Sequence, residues 1–261
     1  MRAFALLEFL AGADAPLSLG DLTRASALPK PTVYRILGLL MRSGLAQREP
    51  PGKRYTVGPR VNALSLLVQR RSPLRARRHA ILARLVEEIG ETCNLTLLDG
   101  HEVYYLDRVE TSATVRLHMN AGSRVPLHCT ASGKLFLAQF GAQLLRRILG
   151  SGPLKSYTAR TITDIDALER ELRKIRMSGV STDTGEFLAE SVCFAVPVHD
   201  SGGDVCAAIA AHGPVPRMTL KKGYEFLPAL RRAAAAIGET FEARAAEMPR
   251  SPQRPRPMIA A

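Results

Sequence analysis

The chain has 261 residues, 46% of them hydrophobic, and a formal net charge of +12. That supports one large core or two smaller ones, and no apolar run approaches the roughly 18 residues of a membrane span. Four cysteines (Cys93, Cys129, Cys193 and Cys206) stand far apart with no CxxC pair, which argues against a zinc site or a disulfide framework and fits a reducing cytoplasm.

The charge is unevenly spread. Residues 1–60 hold nine Lys/Arg against four Asp/Glu, residues 61–80 five Arg and no acid, residues 81–249 nineteen against twenty, and the tail from Arg250 three more Arg. A basic module joined to a neutral one is the footprint of a nucleic-acid binder with a second function.

The N-terminal stretch MRAFALLEFLAGADAP reads as an amphipathic helix over about Arg2–Ala11 and not as a signal peptide, because Glu8 interrupts the apolar run after five residues. Ser18 starts a second helix, and Asp21 three residues on completes a capping-box pattern. A three-residue turn, Ser26-Ala27-Leu28, leads into PKPTVYRILGLLMRSG. There Val33, Ile36, Leu37 and Leu40 fall on one side of a helix, while Pro31, Arg35, Gly38 and Arg42 face away. Pro29 and Pro31 suit a helix start and Gly44 a stop. Leu45–Arg48 and Lys53–Val57 read as strands around a Pro50-Pro51-Gly52 turn. Two helices with a short connection, the second basic, followed by a basic hairpin, predict a winged helix-turn-helix over residues 1–58. Lys30, Thr32, Tyr34 and Arg35 are the candidates for base-edge or nearby phosphate contacts, and Lys53 and Arg54 for contacts to the phosphate backbone.

Residues 59–72 read as a linker helix. Its stripe of Val61, Leu64, Leu67 and Val68 serves either dimerisation or packing on its own wing. Arg70, Arg71, Arg75, Arg77 and Arg78 follow without acids, facing DNA phosphates or an acidic partner surface.

Residues 73–247 read as a neutral α/β domain. A helix covers Pro73–Ile89, with Leu74, His79 to Leu82, Leu85 and Ile89 on one side. Strands Cys93–Leu98 and Glu102–Val109 flank an Asp99-Gly100 turn, and Val115–Met119 is a third strand. An extended piece to Cys129 enters a helix near Ser132. Helices follow over Gln143–Leu149 and over Ile165–Met177, the second capped by Thr163 or Asp164 and ended by Gly179. Strands Cys193–His199 and Val205–Ala211 precede a final helix over Lys221–Ala246. The mixed order of strands and helices predicts an antiparallel sheet with helices. The Pro/Arg-rich tail, residues 248–261, reads as disordered.

Catalytic signals are weak. Ala131-Ser132-Gly133-Lys134 lacks the first glycine and the final Ser/Thr of a phosphate loop. His128 and Cys129 are adjacent in an extended segment and so point to opposite faces. The six histidines show no ligand spacing, and no metal or cofactor is expected. A binding cavity remains, with backbone N–H groups near Ser132 able to hold a carboxylate.

In RAFALLEFLA, LPKPTVYRILGLLMRSGLAQRE, RYTVGPRV, GSRVPLHCTASGKLFLA, IRMSGVSTDTGEF and ESVCFAVPVHDSGGDVCAAIAAHGP, the sequence resembles the isocitrate lyase regulator (IclR) family of bacterial transcription factors over nearly its whole length. The resemblance implies a two-domain α/β protein: an N-terminal winged helix-turn-helix and a C-terminal α+β effector domain of the GAF/profilin type. It implies dimers or tetramers on palindromic operators, responding to small organic or aromatic acids. The family's effector cavity falls on Ala131, Ser132, Asp183, Cys193, Ala210 and His212. Pro31 stands where a serine is common, Ala210 and His212 where small hydroxyl residues are frequent, and Glu190 where glycine is usual.

The expected function is therefore that of a ligand-responsive, non-enzymatic regulator, read as a repressor. One rival is a DNA-binding protein whose C-terminal domain only oligomerises or contacts proteins. Another is an enzyme, against which the absence of a nucleophile–base or metal constellation counts.

Overall fold

The computed structural model describes residues 2–13, 15–49, 53–70, 74–113, 119–150 and 152–245. The turn at 50–52, the strand expected over 115–119 (except Met119), Arg71 and the tail lie outside them. The chain forms two compact units that divide between Val68 and Gln69.

The first unit opens with α1 (Arg2–Ala11), which buries Leu6 and Leu10. β1 (Leu17–Ser18) runs straight into α2 (Leu19–Ser26). The Ser18 hydroxyl accepts from the Asp21 N–H at 3.1 Å, and the Asp21 carboxylate accepts from the Ser18 N–H at 2.9 Å, so the capping box is complete. Ser26 belongs to the helix, its hydroxyl donating back to the Leu22 carbonyl at 2.6 Å. The turn is thus Ala27 to Pro29, one residue later than expected, with Ala27 at φ 53°. α3 (Lys30–Arg42) buries the four aliphatics Val33, Ile36, Leu37 and Leu40 against Leu6, Leu10 and Leu22.

β2 (Ala46–Glu49) and β3 (Arg54–Val57) form the wing, and β1 joins them in the antiparallel order β1-β3-β2. Two residues are too few for β1 to show as an alternating pattern. Gly58 passes so near Gly44 that a Cβ would sit 2.2 Å from its carbonyl oxygen. That contact seats the start of α4 (Pro59–Arg70) against the end of α3. On α4 the expected stripe is not buried within the chain: Leu64 and Leu67 are each 56% exposed, Val68 is also exposed, and Leu66 is the buried residue.

The second unit runs α5 (Leu74–Ile89), β4 (Thr92–Asp99), β5 (Glu102–Val109), β6 (Arg124–Pro126), α6 (Ala131–Leu137), α7 (Ala142–Leu149), α8 (Ile165–Ser178), β7 (Ser181–Asp183), β8 (Ser191–His199), β9 (Val205–Pro214), α9 (Leu220–Glu225) and α10 (Leu227–Ala245). Its strands form one antiparallel sheet, β6-β5-β4-β9-β8-β7. One face carries Ala195, Ala208 and Ala210, on which Leu135 of α6 and Leu168, Leu172 and Ile175 of α8 pack. The alternate residues face the other way, where Phe194 meets Gly223 of α9 and α5 and α10 lie along the central strands.

Three local expectations change. Arg78, not an apolar residue, is buried on α5, while His79 and Ala80 are exposed. The Arg78 guanidinium donates to Thr240 Oγ1 at 2.7 Å and lies 3.9 Å from the Phe241 ring centroid. Arg77 pairs with Glu239 at the surface at 2.9 Å, and the buried Arg78 serves the second unit's own packing. The final helix is two, α9 and α10. Pro228 has no N–H to continue the ladder and clashes with a preceding turn, so the chain restarts at Leu227.

Candidate functional sites

The outward side of α3 is the candidate nucleic-acid interface. Lys30, Tyr34 and Arg35 are exposed, Tyr34 by 63%, and Thr32 is half-buried beside them. An exposed tyrosine this large between two cations gives the face both apolar surface and charge. On the wing Lys53 and Arg48 are exposed. Arg54 is exposed as well but donates to the Pro16 carbonyl at 3.1 Å, so part of its hydrogen-bonding capacity is spent on joining the wing to β1. Tyr34 and Thr32 lie on opposite flanks of α3 with Arg35 between them on the outward side and Lys30 at the N-terminal end, and Lys53 and Arg54 sit at the start of β3.

In the second unit Ala131, Ser132, Asp183, Cys193, Ala210 and His212 all line one small cavity of about 30 Å³. Strand register explains why. Asp183 pairs with Cys193 and Cys193 with His212, so the three form a row across β7, β8 and β9 with side chains on the same face. Ala210 lies two residues before His212 on that face. Over this floor sits the first turn of α6, capped by Thr130, whose hydroxyl accepts from the Gly133 N–H at 3.2 Å. Gly133 is required there, because a Cβ would lie 2.2 Å from the Leu127 carbonyl oxygen. Tyr105, Met119, Val125, Phe187 and Leu188 supply apolar wall.

Beside the hydroxyls of Thr130, Ser132 and Ser191, the cavity lining includes Asp183 and His212. Asp183 is buried, and Oδ1 accepts from the Glu186 and Phe187 N–H groups at 2.7 and 3.4 Å. Burial pushes its carboxyl above the usual carboxylate range, against the pull of those N–H groups and of the Lys134 ammonium. Lys134, in the stretch that sequence excluded as a phosphate loop, is buried in an ion pair with Glu186. His212 is 7% exposed, and its Nε2 stands 2.8 Å from Arg108 Nη1. Burial, with the Arg108 charge beside it, lowers its pKa to about 3. Arg108 also donates to Asn94 Oδ1 at 2.9 Å and approaches Glu110 at 3.3 Å.

The thiols are inert. Burial pushes Cys193 far up and Cys129 up to about 12, and His128 bonds the Lys155 carbonyl at 2.8 Å, away from any nucleophile role. Among the described residues no group of His, Cys, Asp or Glu has metal-site geometry, and no helix is long and apolar enough to cross a membrane.

Sequence reasoning missed Arg108, Asn94 and Tyr105. The available signal was Thr92, Asn94 and Thr96 at period two, which marks one face of β4 as polar, although all three are buried. No comparable pattern on β5 ties Arg108 to His212, since the two are 104 residues apart.

Comparison with known proteins agrees with this geometry. The description "IclR helix-turn-helix domain" matches residues 1–50, and "Bacterial transcriptional regulator IclR C-terminal" matches residues 67–239. A relative in Cupriavidus necator, the "Probable transcriptional regulator SauR", is 45% identical over 92% of this chain and 96% of its own. The "Transcriptional repressor IclR" of Escherichia coli is 29% identical over 90% of this chain and 87% of its own. Among solved structures, an IclR homolog from Microbacterium hydrocarbonoxydans complexed with 4-hydroxybenzoate is 26% identical, with a TM-score of 0.58 over 94% of this chain and 98% of that one. The matched proteins are regulators and not enzymes. The chain accordingly belongs to the IclR family of bacterial transcriptional regulators.

Proposed function

We propose that this regulator is a repressor that binds a palindromic operator as a homodimer or homotetramer and senses a small organic or aromatic acid in the cavity of its second unit. The observation that carries the sensing half is that all six positions expected to hold an effector line a single cavity. The complex of a relative with 4-hydroxybenzoate supports an acid as the ligand class. Lys30, Thr32, Tyr34 and Arg35 read base edges and adjacent phosphates, and Lys53 and Arg54 position the wing on the backbone. In this reading the protein works in the cytoplasm. The acid regulates only through a difference in affinity between the operator-competent and operator-incompetent arrangements of the oligomer.

The test pairs a thermal-shift screen of the full chain against organic acids with operator binding measured by fluorescence anisotropy. An acid that stabilises the protein and changes operator affinity is the expected result. Acids that change neither would leave the second unit as an oligomerisation or protein-contact module.

A further inference from the structure

The cavity under α6 offers about 30 Å³, enough for about two water molecules. The 4-hydroxybenzoate bound by a relative is several times larger, so a wall has to give. α6 is fixed in depth by Gly133 against the Leu127 backbone, and Tyr105, Cys193 and His212 stand in paired strands. Phe187 and Leu188 belong to no helix or strand; they sit on the turn between β7 and β8.

That turn is gripped from two sides. Inside, Asp183 accepts from its N–H groups and Lys134 pairs with its Glu186. Outside, its carbonyls accept from three side chains of another loop. Thr158 Oγ1 donates to the Gly185 oxygen at 2.6 Å, Thr161 Oγ1 to the Glu186 oxygen at 2.6 Å, and Arg160 Nη1 to the Thr184 oxygen at 2.9 Å. In the same loop Tyr157 meets the Phe187 ring edge-on at 5.2 Å and lies 5.9 Å from the His128 ring. The Lys155 carbonyl accepts from His128 Nε2 at 2.8 Å. Residues 155–161 therefore bridge from the segment entering α6 to the turn carrying Phe187.

This bridging loop joins no helix or strand. Its base is pinned, because the Leu154 N–H donates to the Thr163 carbonyl at 2.9 Å and Leu154 and Ile162 pack on the core. A surface loop whose ends meet can swing about its base and leave the sheet undisturbed.

We propose that residues 155–161 form a strap that shuts the effector cavity, and that an acid binds only when the strap has released the carbonyls of Thr184, Gly185 and Glu186. The strap thereby sets the acid concentration at which the regulator responds, since apparent affinity falls with the fraction of molecules in the open form. This rests on the sensor reading above and adds its threshold. Thr158, Arg160 and Thr161 act on binding by holding the empty state closed. The sign of a substitution follows: loss of a residue that supports the cavity weakens binding, whereas loss of a latch strengthens it.

The experiment titrates the full chain with 4-hydroxybenzoate, lactate and succinate by isothermal calorimetry. Thr158→Val and Arg160→Ala should each bind a probe roughly threefold more tightly than wild type or better, because one net hydrogen bond no longer has to break. Arg146→Ala, which removes an exposed arginine of α7 outside the strap, should bind as wild type does. In wild type, a saturating probe should raise deuterium uptake over residues 155–161 and 184–190. That measurement needs no variant and stands if Thr158→Val fails to fold. Equal or weaker binding by the folded strap variants overturns the proposal and leaves the sensor reading in place. So does uptake that rises beside Met119, another cavity-lining residue outside helices and strands, while the strap is unchanged. A probe that binds the variants and not wild type supports the strap. Failure of every probe to bind any of these proteins counts against the sensor reading and takes the strap proposal with it.

Discussion

In the proposed reading Arg35 and Lys53 carry different duties although both are exposed cations. Arg35 projects from α3 with a planar guanidinium able to bind guanine bidentately, whereas Lys53 lies on the wing, for which phosphate contacts are proposed. Arg35→Ala should relax sequence preference at one position of each half-site by about 1–3 kcal/mol, and Lys53→Ala should weaken all sequences alike and reduce the salt slope by about one. Anisotropy titrations on operator and scrambled DNA at several salt concentrations separate the two. His212 is a second residue whose environment sets a measurable sign. Its pKa of about 3 lies below its ordinary 6.5, so the unfolded chain takes up the proton first as pH falls. The stability that neutral His212 provides is complete above pH 6.5 and is lost between 6.5 and about 3, at up to ~1.4 kcal/mol per pH unit. Asp183 on the same face, with its pKa raised, works in the opposite direction. The comparison with His212→Asn therefore isolates the effect: urea unfolding at pH 7 and pH 5 should show wild type losing more stability than the variant.

At the scale of elements, α6 is the piece that makes the cavity. It is seven residues long and every one of them is buried, which is possible because the sheet beneath it presents Ala195, Ala208 and Ala210 and because Gly133 has no side chain. Gly133→Ala would drive a methyl into the Leu127 backbone, where no flexible side chain can yield. A loss of at least ~1–3 kcal/mol follows, with the second unit melting earlier and probe binding reduced, both readable by calorimetry. The recognition helix was legible in sequence because its four aliphatics repeat at 3.6-residue spacing and its neighbour carries a complete capping box. Cavity-forming α6 was legible only as a helix start, because the contact that fixes its depth is with Leu127, which no periodicity reports. The break between α9 and α10 was written in Pro228. β7 was not, since three residues show no alternation and pair only through β8.

On the scale of the whole molecule the positive excess lies in residues 1–80 and in the tail from Arg250, while residues 81–249 are close to neutral. α4, within the first unit through Val68, exposes Leu64, Leu67 and Val68. Three large aliphatics on one helix are an apolar strip that the described residues leave exposed, as association of chains through α4 would require. Leu64→Asp combined with Leu67→Asp should lower the association state in sedimentation and weaken operator binding, while the thermal transition of the second unit stays in place. Unchanged sedimentation would remove α4 from the oligomer interface.

By itself the sequence determined the order of elements, the basic reading helix with its cap and wing, the antiparallel character of the sheet and the family to which the chain belongs. These depend on local spacing, capping and charge, which short stretches of chain carry completely. Tertiary structure decided that six residues spread from Ala131 to His212 meet in one cavity, that Lys134 and Arg78 are committed to internal partners, and that Arg108 stands against His212. Each of these depends on strand register and on close approach between segments distant in the chain, and no local pattern encodes either.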